Sequence, residues 1–198
     1  MKILEISILL FFLKQGNVVS SFVITNPSPL REKTESLLVE KFQQAIGSLA
    51  QSNYEEGIKA LKELLENEIV AEELHELRYQ CVYNLAVVYE ELKSLRDAFI
   101  YYYKCVSMKE NDFNIWLKLS NYCLRLHYFE QAEHCYQNCV KYIPTSFYEN
   151  MIYEKMVFTS FLSKNYSAAQ QRIDYLLSKN YKSPELILLR GIVAREKG

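Results

Sequence analysis

Cysteine and histidine side chains, both of which bind zinc, lie close together in one short stretch of the chain. His134 and Cys135 are adjacent, Cys139 follows one helical turn later, and His127 precedes them. Thiolates and an imidazole on one helix are suitable zinc ligands. A buried thiol also packs as a small apolar side chain between helices. We expect that packing role, with no metal site and no cofactor.

The sequence contains no motif typical of nucleotide-dependent or acyl-transfer catalysis. Its five glycines are too dispersed to form a phosphate-binding loop. No serine has a G-x-S-x-G context, and no histidine has an identifiable nucleophile with an orienting aspartate beside it. We therefore expect a protein that is not an enzyme.

Tyr101, Tyr102 and Tyr103 form an aromatic run, and aromatic side chains beside basic grooves bind single-stranded nucleic acid. Here no basic cluster accompanies them. Over the whole chain 23 Lys and Arg residues are balanced by 24 Asp and Glu residues, so the net charge is -1. We expect no direct nucleic-acid partner, because charge does not favour one.

The composition predicts long helices joined by short turns. The chain has 198 residues, of which 49% are hydrophobic and 24% charged, as in soluble globular domains. Five glycines and four prolines are too few for the many turns of an all-β sandwich or barrel. The five cysteines are an odd number with irregular spacing, which predicts reduced thiols inside a cell.

Residues 1–35 are predicted to be a leader, either disordered or an apolar helix. Residues 1–13 read MKILEISILLFFL, and residues 18–20 read VVS, which resembles the cleavage site of a secretory signal peptide. The acidic Glu5 argues against a signal peptide, and the apolar run is too short to span a bilayer. A signal peptide and a disordered or wrongly assigned leader both stay open, and we expect no membrane partner.

A fixed period of 34 residues relates two later segments of the chain. Asn84-Leu85-Ala86 and Ala98-Phe99 align with Lys118-Leu119-Ser120 and Ala132-Glu133. Each segment has a large residue, a leucine and a small residue, followed by a second small residue twelve positions later. This pattern is the helix-turn-helix signature of the tetratricopeptide repeat. The small residues are expected where the two helices of a repeat cross at close range.

The same pattern extends in both directions and predicts an all-α, right-handed superhelical solenoid over residues 36–198. An earlier repeat has Ala45 and Gly57 at its small positions and is followed by seven extra residues, and a later repeat follows three extra residues near Thr145. Residues 184–198 resemble the first helix of a fifth repeat. We expect four repeats and one helix, truncated from a longer protein, since a polar capping helix is missing. Cys105 and Cys139 share repeat position 27, which favours packing over zinc.

The first helices of such repeats line a concave groove that binds peptides. The candidate peptide-binding residues fall at the groove positions of three repeats: Tyr83, Asn84, Val87, Lys118, Asn121, Arg125, Lys155 and Phe158. A solvated helix face that binds nothing is the alternative at each position.

Receptors for chaperone tails resemble one another in a carboxylate clamp on these groove positions. Asn84 and Lys118 match two places of the clamp, the second only in charge. Phe42, Ile46 and Asn114 occupy the others. The clamp is therefore incomplete, and a generic adaptor or co-chaperone remains the alternative function.

A longer stretch resembles a particular group of repeat proteins. Segments 77–79, 83–86, 112–119 and 124–126, together with the first repeat, are similar to the amino-terminal repeats of the calcineurin-binding protein cabin family, a subunit of the HIRA histone-chaperone complex. The resemblance covers about residues 39–198, and its specific part is Asp112–Leu126.

This resemblance implies a nuclear, non-catalytic scaffold that binds histone-chaperone subunits and assists replication-independent nucleosome assembly. Two departures are a short inserted segment and the apolar leader. Cytoplasm is the alternative location, and the secretory pathway applies only if the leader is a signal peptide.

Overall fold

A computed structural model describes residues 29–197 of the chain, and within them the secondary structure is helical, with no strand. The predicted leader lies outside the described residues except for residues 29–35, which are already helical. Proline suits the first position of a helix, because its missing N–H has no partner there anyway. Ten α-helices occur in the described range: α1 Pro29–Ala50, α2 Tyr54–Glu66, α3 Glu68–Glu72, α4 His75–Glu91, α5 Leu95–Met108, α6 Phe113–Arg125, α7 Phe129–Lys141, α8 Glu149–Leu162, α9 Tyr166–Ser178 and α10 Pro184–Lys197.

Four left-handed turn residues mark the repeat register. Ser52, Lys93, His127 and Lys164 have φ angles of 64°, 59°, 61° and 59°. Their spacings are 41, 34 and 37 residues, which are the spacings expected from one 34-residue repeat with insertions of seven and three residues. The structure thus confirms the predicted register.

Backbone hydrogen bonds explain why these turns need a left-handed residue. In the turn between α6 and α7, the N–H of His127 donates to the carbonyl of Leu124 at 3.1 Å, and the N–H of Tyr128 donates to Cys123 at 2.8 Å. This pattern satisfies carbonyls that the end of a helix leaves without partners. Ser52 and Lys164 make the equivalent bonds at the ends of α1 and α8.

The described residues divide into two compact units, the first ending at Leu92 and the second beginning at Lys93. The boundary falls in the turn between α4 and α5, inside the second predicted repeat. Each unit is described separately below. Among the described residues, no helix has the length and apolar character needed to cross a membrane.

In the first unit, α1 and α2 cross at a glycine. A Cβ atom placed on Gly57 would lie 2.2 Å from Cδ2 of Leu49 and 3.2 Å from the carbonyl oxygen of Ala45. The two helices therefore approach too closely for a larger side chain. The predicted insertion forms the short helix α3, whose start is capped by Asn67 accepting from the N–H of Ile69 at 3.1 Å.

In the second unit, α6 pairs with α7 and α8 pairs with α9. The small residues predicted at helix crossings, Ser120, Ala132 and Ala169, are fully buried. The other insertion forms a 3₁₀ turn, Ser146–Tyr148, before α8. α10 buries Leu186, Leu189 and Val193 against the α8–α9 pair, as expected for the first helix of a further repeat.

Candidate binding surfaces on the first and second helices

On α6, three predicted groove residues lie three and four positions apart, so they share one face of the helix. Asn121 and Arg125 are exposed, and Lys118 is partly exposed with its Nζ 5.2 Å from the centre of the Tyr102 ring. Ile115 and Leu119 are buried and anchor the helix. α6 contains no acidic residue, so its exposed face is cationic and amidic.

On α8, the two predicted residues occupy the same repeat positions as Lys118 and Asn121. Lys155 is partly exposed and Phe158 is 42% exposed, a large apolar surface for one side chain. Behind them, Ile152, Met156 and Val157 are buried in the core of the second unit. In this unit, then, the first helices offer cations, an amide and an aromatic ring to a partner.

In the first unit, the three predicted residues on α4 are less available. Asn84 is buried, and its side-chain amide donates to the carbonyl of Gln80 at 2.7 Å. Tyr83 stacks on Tyr79, with ring centres 6.3 Å apart, and Val87 is partly buried. These residues help to hold α4 in place, and only part of their surface faces solvent.

The carboxylate-clamp positions also have structural roles. Phe42, in one of those positions, is buried in the core of the first unit. The Asn84 amide is engaged by the backbone of its own helix. A clamp needs both positions to present polar groups to a ligand, and neither does here.

The residues considered for zinc binding are dispersed. His127 is the left-handed turn residue after α6, Cys139 is fully buried, and the His134 ring packs edge-on against Trp116 with centres 5.9 Å apart. Within residues 29–197, no group of three or more His, Cys, Asp or Glu side chains is placed to hold a metal ion.

One cavity of the second unit lies between second helices, away from the predicted groove. It is an open cleft of about 420 Å³ between α5 and α7, with α6 at its base, and we call it the α5–α7 cleft. Its surface is mostly apolar and aromatic. The lining residues are Phe99, Tyr103, Val106, Ser107, Glu110, Trp116, Cys123, Glu130, Gln131, His134, Cys135 and Asn138.

Aromatic rings and one ion pair hold the walls of the cleft. Phe99 packs against Tyr103, with ring centres 6.2 Å apart. The indole Nε1 of Trp116 donates to the carbonyl of Glu110 at 2.6 Å. The carboxylate of Glu110 in turn lies 3.0 Å from Nζ of Lys141. A hydrogen bond with Tyr142, followed by the Lys141 cation, lowers the pKa of Glu110. The side of the cleft formed by Glu110 is thus electrostatically compensated.

Two cysteines lie side by side at the base of the α5–α7 cleft. Both thiols are buried, and the hydrogen-bond interaction with Cys135 lowers the pKa of Cys123. The same interaction, followed by burial, raises the pKa of Cys135. In Cys81, Cys105 and Cys139, by contrast, burial raises the pKa to about 12.

The next pair of second helices, α7 and α9, is joined by an arginine. The guanidinium of Arg172 on α9 donates to the carboxylate of Glu133 on α7 and to the hydroxyl of Ser160 on α8. It also donates to the carbonyl of Met156 at 3.4 Å. The Arg172 and Glu133 side chains are only 18% and 24% exposed.

Repeat positions relate the ion pair to the cleft. Arg172, Glu133 and Ser160 occupy positions 23, 21 and 11 of their repeats. Between α5 and α7, the preceding pair of second helices, the same positions carry Cys135, Phe99 and Cys123, respectively, and all three line the cleft. The cleft therefore exists where an ion pair is replaced by an aromatic ring and two thiols.

The Cys123–Cys135 pair was not predicted from the sequence, because cysteines were compared along one helix and between equivalent repeat positions, and not between the two helices of one repeat. The available signal was the twelve-residue spacing shared with Ser160 and Arg172. That spacing relates the same positions of a first and a second helix in one repeat.

The comparisons with known proteins agree with this fold. A family model described as "Tetratricopeptide repeat" matches residues 79–112, the second predicted repeat. No curated protein sequence matches the chain. The fold class predicted from the sequence, an all-α arrangement of tetratricopeptide helix pairs, is confirmed.

Solved structures of repeat proteins are similar to the chain at low sequence identity. A tetratricopeptide repeat protein from Parabacteroides merdae has 19% identity and a TM-score of 0.58, over 81% of this chain and 60% of that one. MamA from AMB-1 has 14% identity and a TM-score of 0.56, over 76% of this chain and 78% of its own. PilF from Pseudomonas aeruginosa has 15% identity and a TM-score of 0.50, over 78% and 66% of the two chains. The chain thus spans less than two thirds of the Parabacteroides protein.

Proposed function

We propose that the chain is a non-catalytic adaptor that binds an acidic peptide of a partner protein along the first helices of its second unit. The observation that carries this proposal is the exposed face of α6, where Lys118, Asn121 and Arg125 stand together on a helix without acidic residues. Opposite charge on the partner would steer and orient it.

Phe158 on α8 adds an apolar anchor to this surface. Its ring is 42% exposed, whereas the neighbouring Val157 is completely buried. Aromatic side chains contribute much of the binding energy of peptide interfaces when a partner covers them. The proposed ligand is thus a peptide with carboxylates for the cations and one apolar side chain for Phe158.

Affinity capture with the full chain as bait tests this function. Arg125→Glu is expected to lose most captured partners, because it reverses the charge of an exposed groove residue without touching the core. Lys182→Glu is the matched control, since Lys182 is exposed in the turn before α10. Equal capture by the wild type and both variants would contradict the proposal.

A narrower proposal is that the partners are subunits of a HIRA-type histone-chaperone complex in the nucleus. It is supported by the resemblance over Asp112–Leu126 alone. Many residues of that segment have structural roles: Asp112 caps α6 by accepting from the N–H of Asn114 at 2.9 Å, and Phe113 and Trp116 are buried.

The identity of the captured proteins separates this proposal from its alternative. Histone-chaperone subunits captured by the wild type and lost with Arg125→Glu would support the narrower function. Heat-shock chaperones alone would support the co-chaperone alternative and would contradict the histone-chaperone assignment.

A further inference from the structure

The α5–α7 cleft combines exposed aromatic rings with carboxylates. Tyr103 is 57% exposed, and Phe99 beside it is partly exposed, with ring centres 6.2 Å apart. Glu110 and Glu130 also line the cleft, and none of the described residues that line it is a lysine or an arginine. Aromatic faces and carboxylates both attract cations. The lining therefore suits a positively charged group.

The two carboxylates of the cleft differ in their partners. Glu110 lies 3.0 Å from Nζ of Lys141, so its charge is already balanced. Glu130, in the first turn of α7, is exposed and has no ion-pair partner within residues 29–197. Glu130 is thus the carboxylate that is available to a cation from another molecule.

The next junction shows which cation fits this position. Between α7 and α9, the guanidinium of Arg172 fills the equivalent space and reaches Glu133 and Ser160. Between α5 and α7, the corresponding residue is Cys135, whose side chain is much shorter, and a cleft of about 420 Å³ remains. Natural ligand pockets have volumes of about 300 to 1,000 Å³. The cleft therefore has room for an arginine side chain that position 23 of this repeat does not supply.

An arginine suits this lining better than a lysine. A guanidinium is planar and weakly hydrated, and it stacks on aromatic rings, whereas an ammonium is compact and strongly hydrated. Phe99 and Tyr103 lie four positions apart on α5, so they share the face of the helix that lines the cleft. The methylene groups of an arginine can pack along Phe99 and Val106.

We propose that the α5–α7 cleft is a docking site for an arginine side chain of a partner protein. The guanidinium stacks on the rings of Phe99 and Tyr103 and pairs with the carboxylate of Glu130. The site lies on the second helices and takes a cationic group, whereas the adaptor function rests on an acidic peptide at the first helices. It therefore goes beyond the proposed function.

The test uses the full chain and three capped tripeptides, in which the central residue between two glycines is arginine, lysine or citrulline. Citrulline has the shape of arginine without its charge. Isothermal titration calorimetry should give a dissociation constant in the millimolar range for the arginine tripeptide and a value about threefold larger for the lysine tripeptide, with no binding of the citrulline tripeptide. Trp116, the only tryptophan in the chain, lines the cleft, so its fluorescence should change in step with binding.

A pair of glutamate variants tests the ion pair. Glu130→Gln should weaken binding of the arginine tripeptide by about threefold, because it removes the charge and keeps the shape of the side chain. Glu185→Gln is the matched control and should bind as the wild type does. Glu185 is also an exposed glutamate in the first turn of a helix, α10, and it is not among the residues that line the cleft.

A pair of aromatic variants tests the stacking. Tyr103→Ala should also weaken binding by about threefold, because the guanidinium loses an exposed ring. Phe147→Ala is the matched control, since Phe147 is 83% exposed and does not line the cleft.

Four results would overturn the proposal: no binding of the arginine tripeptide, equal binding of all three tripeptides, binding without a change in Trp116 fluorescence, or equal weakening in Glu130→Gln and Glu185→Gln. Tighter binding of free L-arginine than of the arginine tripeptide would also overturn it, because the cleft would then be a small-molecule site. Thermal unfolding followed by circular dichroism checks that each variant is folded. If Tyr103→Ala does not fold, the order of the three tripeptides on the wild type and the two glutamate variants decide the question.

Discussion

Within the Lys93–Gly198 unit, two successive pairs of second helices occupy the same repeat positions and pack differently. Between α7 and α9, Arg172 joins Glu133 and Ser160. Between α5 and α7, a cleft of about 420 Å³ remains, with Cys135 at the position equivalent to Arg172. The repeat thus determines where the helices lie, while a few side chains decide how the junction between two successive second helices is packed. The junction is closed where an ion pair fills it and open where a cleft remains.

The largest expected effect comes from breaking the closed junction. Arg172→Ala should lower the free energy of unfolding by about 2 kcal/mol, since it leaves the largely buried Glu133 carboxylate without its cation. Urea unfolding measures the change. Arg195→Ala removes an arginine that is 76% exposed beside Glu196, and it should change stability by less than about 0.5 kcal/mol.

Equal losses of stability in Arg172→Ala and Arg195→Ala would contradict a stabilising role for the Arg172–Glu133 ion pair. Arg172→Lys sharpens the test, because an ammonium group lacks the planar fork with which a guanidinium binds several acceptors at once. We expect Arg172→Lys to lose most of the stability that the Arg172 side chain contributes.

In the first unit, Gly57 and Gly47 differ in the space available for one added carbon atom. Gly57→Ala would place a Cβ 2.2 Å from Leu49 and should cost about 1 to 2 kcal/mol of stability. Gly47→Ala meets nothing within 4 Å on a helix and should stabilise by about 0.5 to 1 kcal/mol. Thermal and urea unfolding of both variants check the opposite signs, and a stable Gly57→Ala variant would contradict the close crossing of α1 and α2.

These glycines show why the fold was predictable from the sequence. Small residues recur at the helix crossings, as with Ala132 and Ala169, because a close approach excludes anything larger. The left-handed turns were harder to anticipate, since none of Ser52, Lys93, His127 and Lys164 is a glycine. Their backbone is set by the hydrogen bonds of the helix ends and not by residue type.

The candidate sites were predictable only in part. Lys118, Asn121 and Arg125 share a face because helical spacing alone places them there. Asn84 has the same repeat position as Lys118, yet its short amide folds back to Gln80 and is buried. The α5–α7 cleft was not predicted, because side chains of two different repeats line it. Its cause becomes visible only when these positions are compared with the equivalent positions of the next repeat.

Alkaline pH should destabilise the fold through its buried thiols. Burial raises the pKa of Cys81, Cys105 and Cys139 to about 12. Their unfolded pKa is about 8.5. Above that value the folded state holds protons that the unfolded state has lost, so stability falls as pH rises toward 12. Each thiol contributes at most about 1.4 kcal/mol per pH unit.

Urea unfolding at a series of pH values measures this slope. Cys139→Ala should flatten it, because one of the contributing thiols is removed. Gly57→Ala is the control, since it lowers stability without changing a titratable group and should leave the slope unchanged. A slope that stays the same in Cys139→Ala would contradict the linkage between thiol burial and stability.

The smallest expected effect comes from rebuilding the closed junction inside the open one. In a Cys123→Ser background, Phe99→Glu and Cys135→Arg together reproduce the three positions that hold the ion pair at the next junction. Separately, each change leaves a charge without its partner. Together, a double-mutant cycle should reveal a favourable coupling of about 1 kcal/mol.

Closure of the cleft gives this experiment a second readout. Quenching of the single tryptophan by acrylamide should decrease when both charges are present, because Trp116 lines the space that an arginine would fill. Ile100→Glu paired with Cys135→Arg is the matched control, since Ile100 is 47% exposed on α5 and is not among the residues lining the cleft. If that control pair couples as strongly, or if the rebuilt pair does not couple, then positions 11, 21 and 23 do not decide how a junction packs. The difference between the two junctions would then have to come from the backbone.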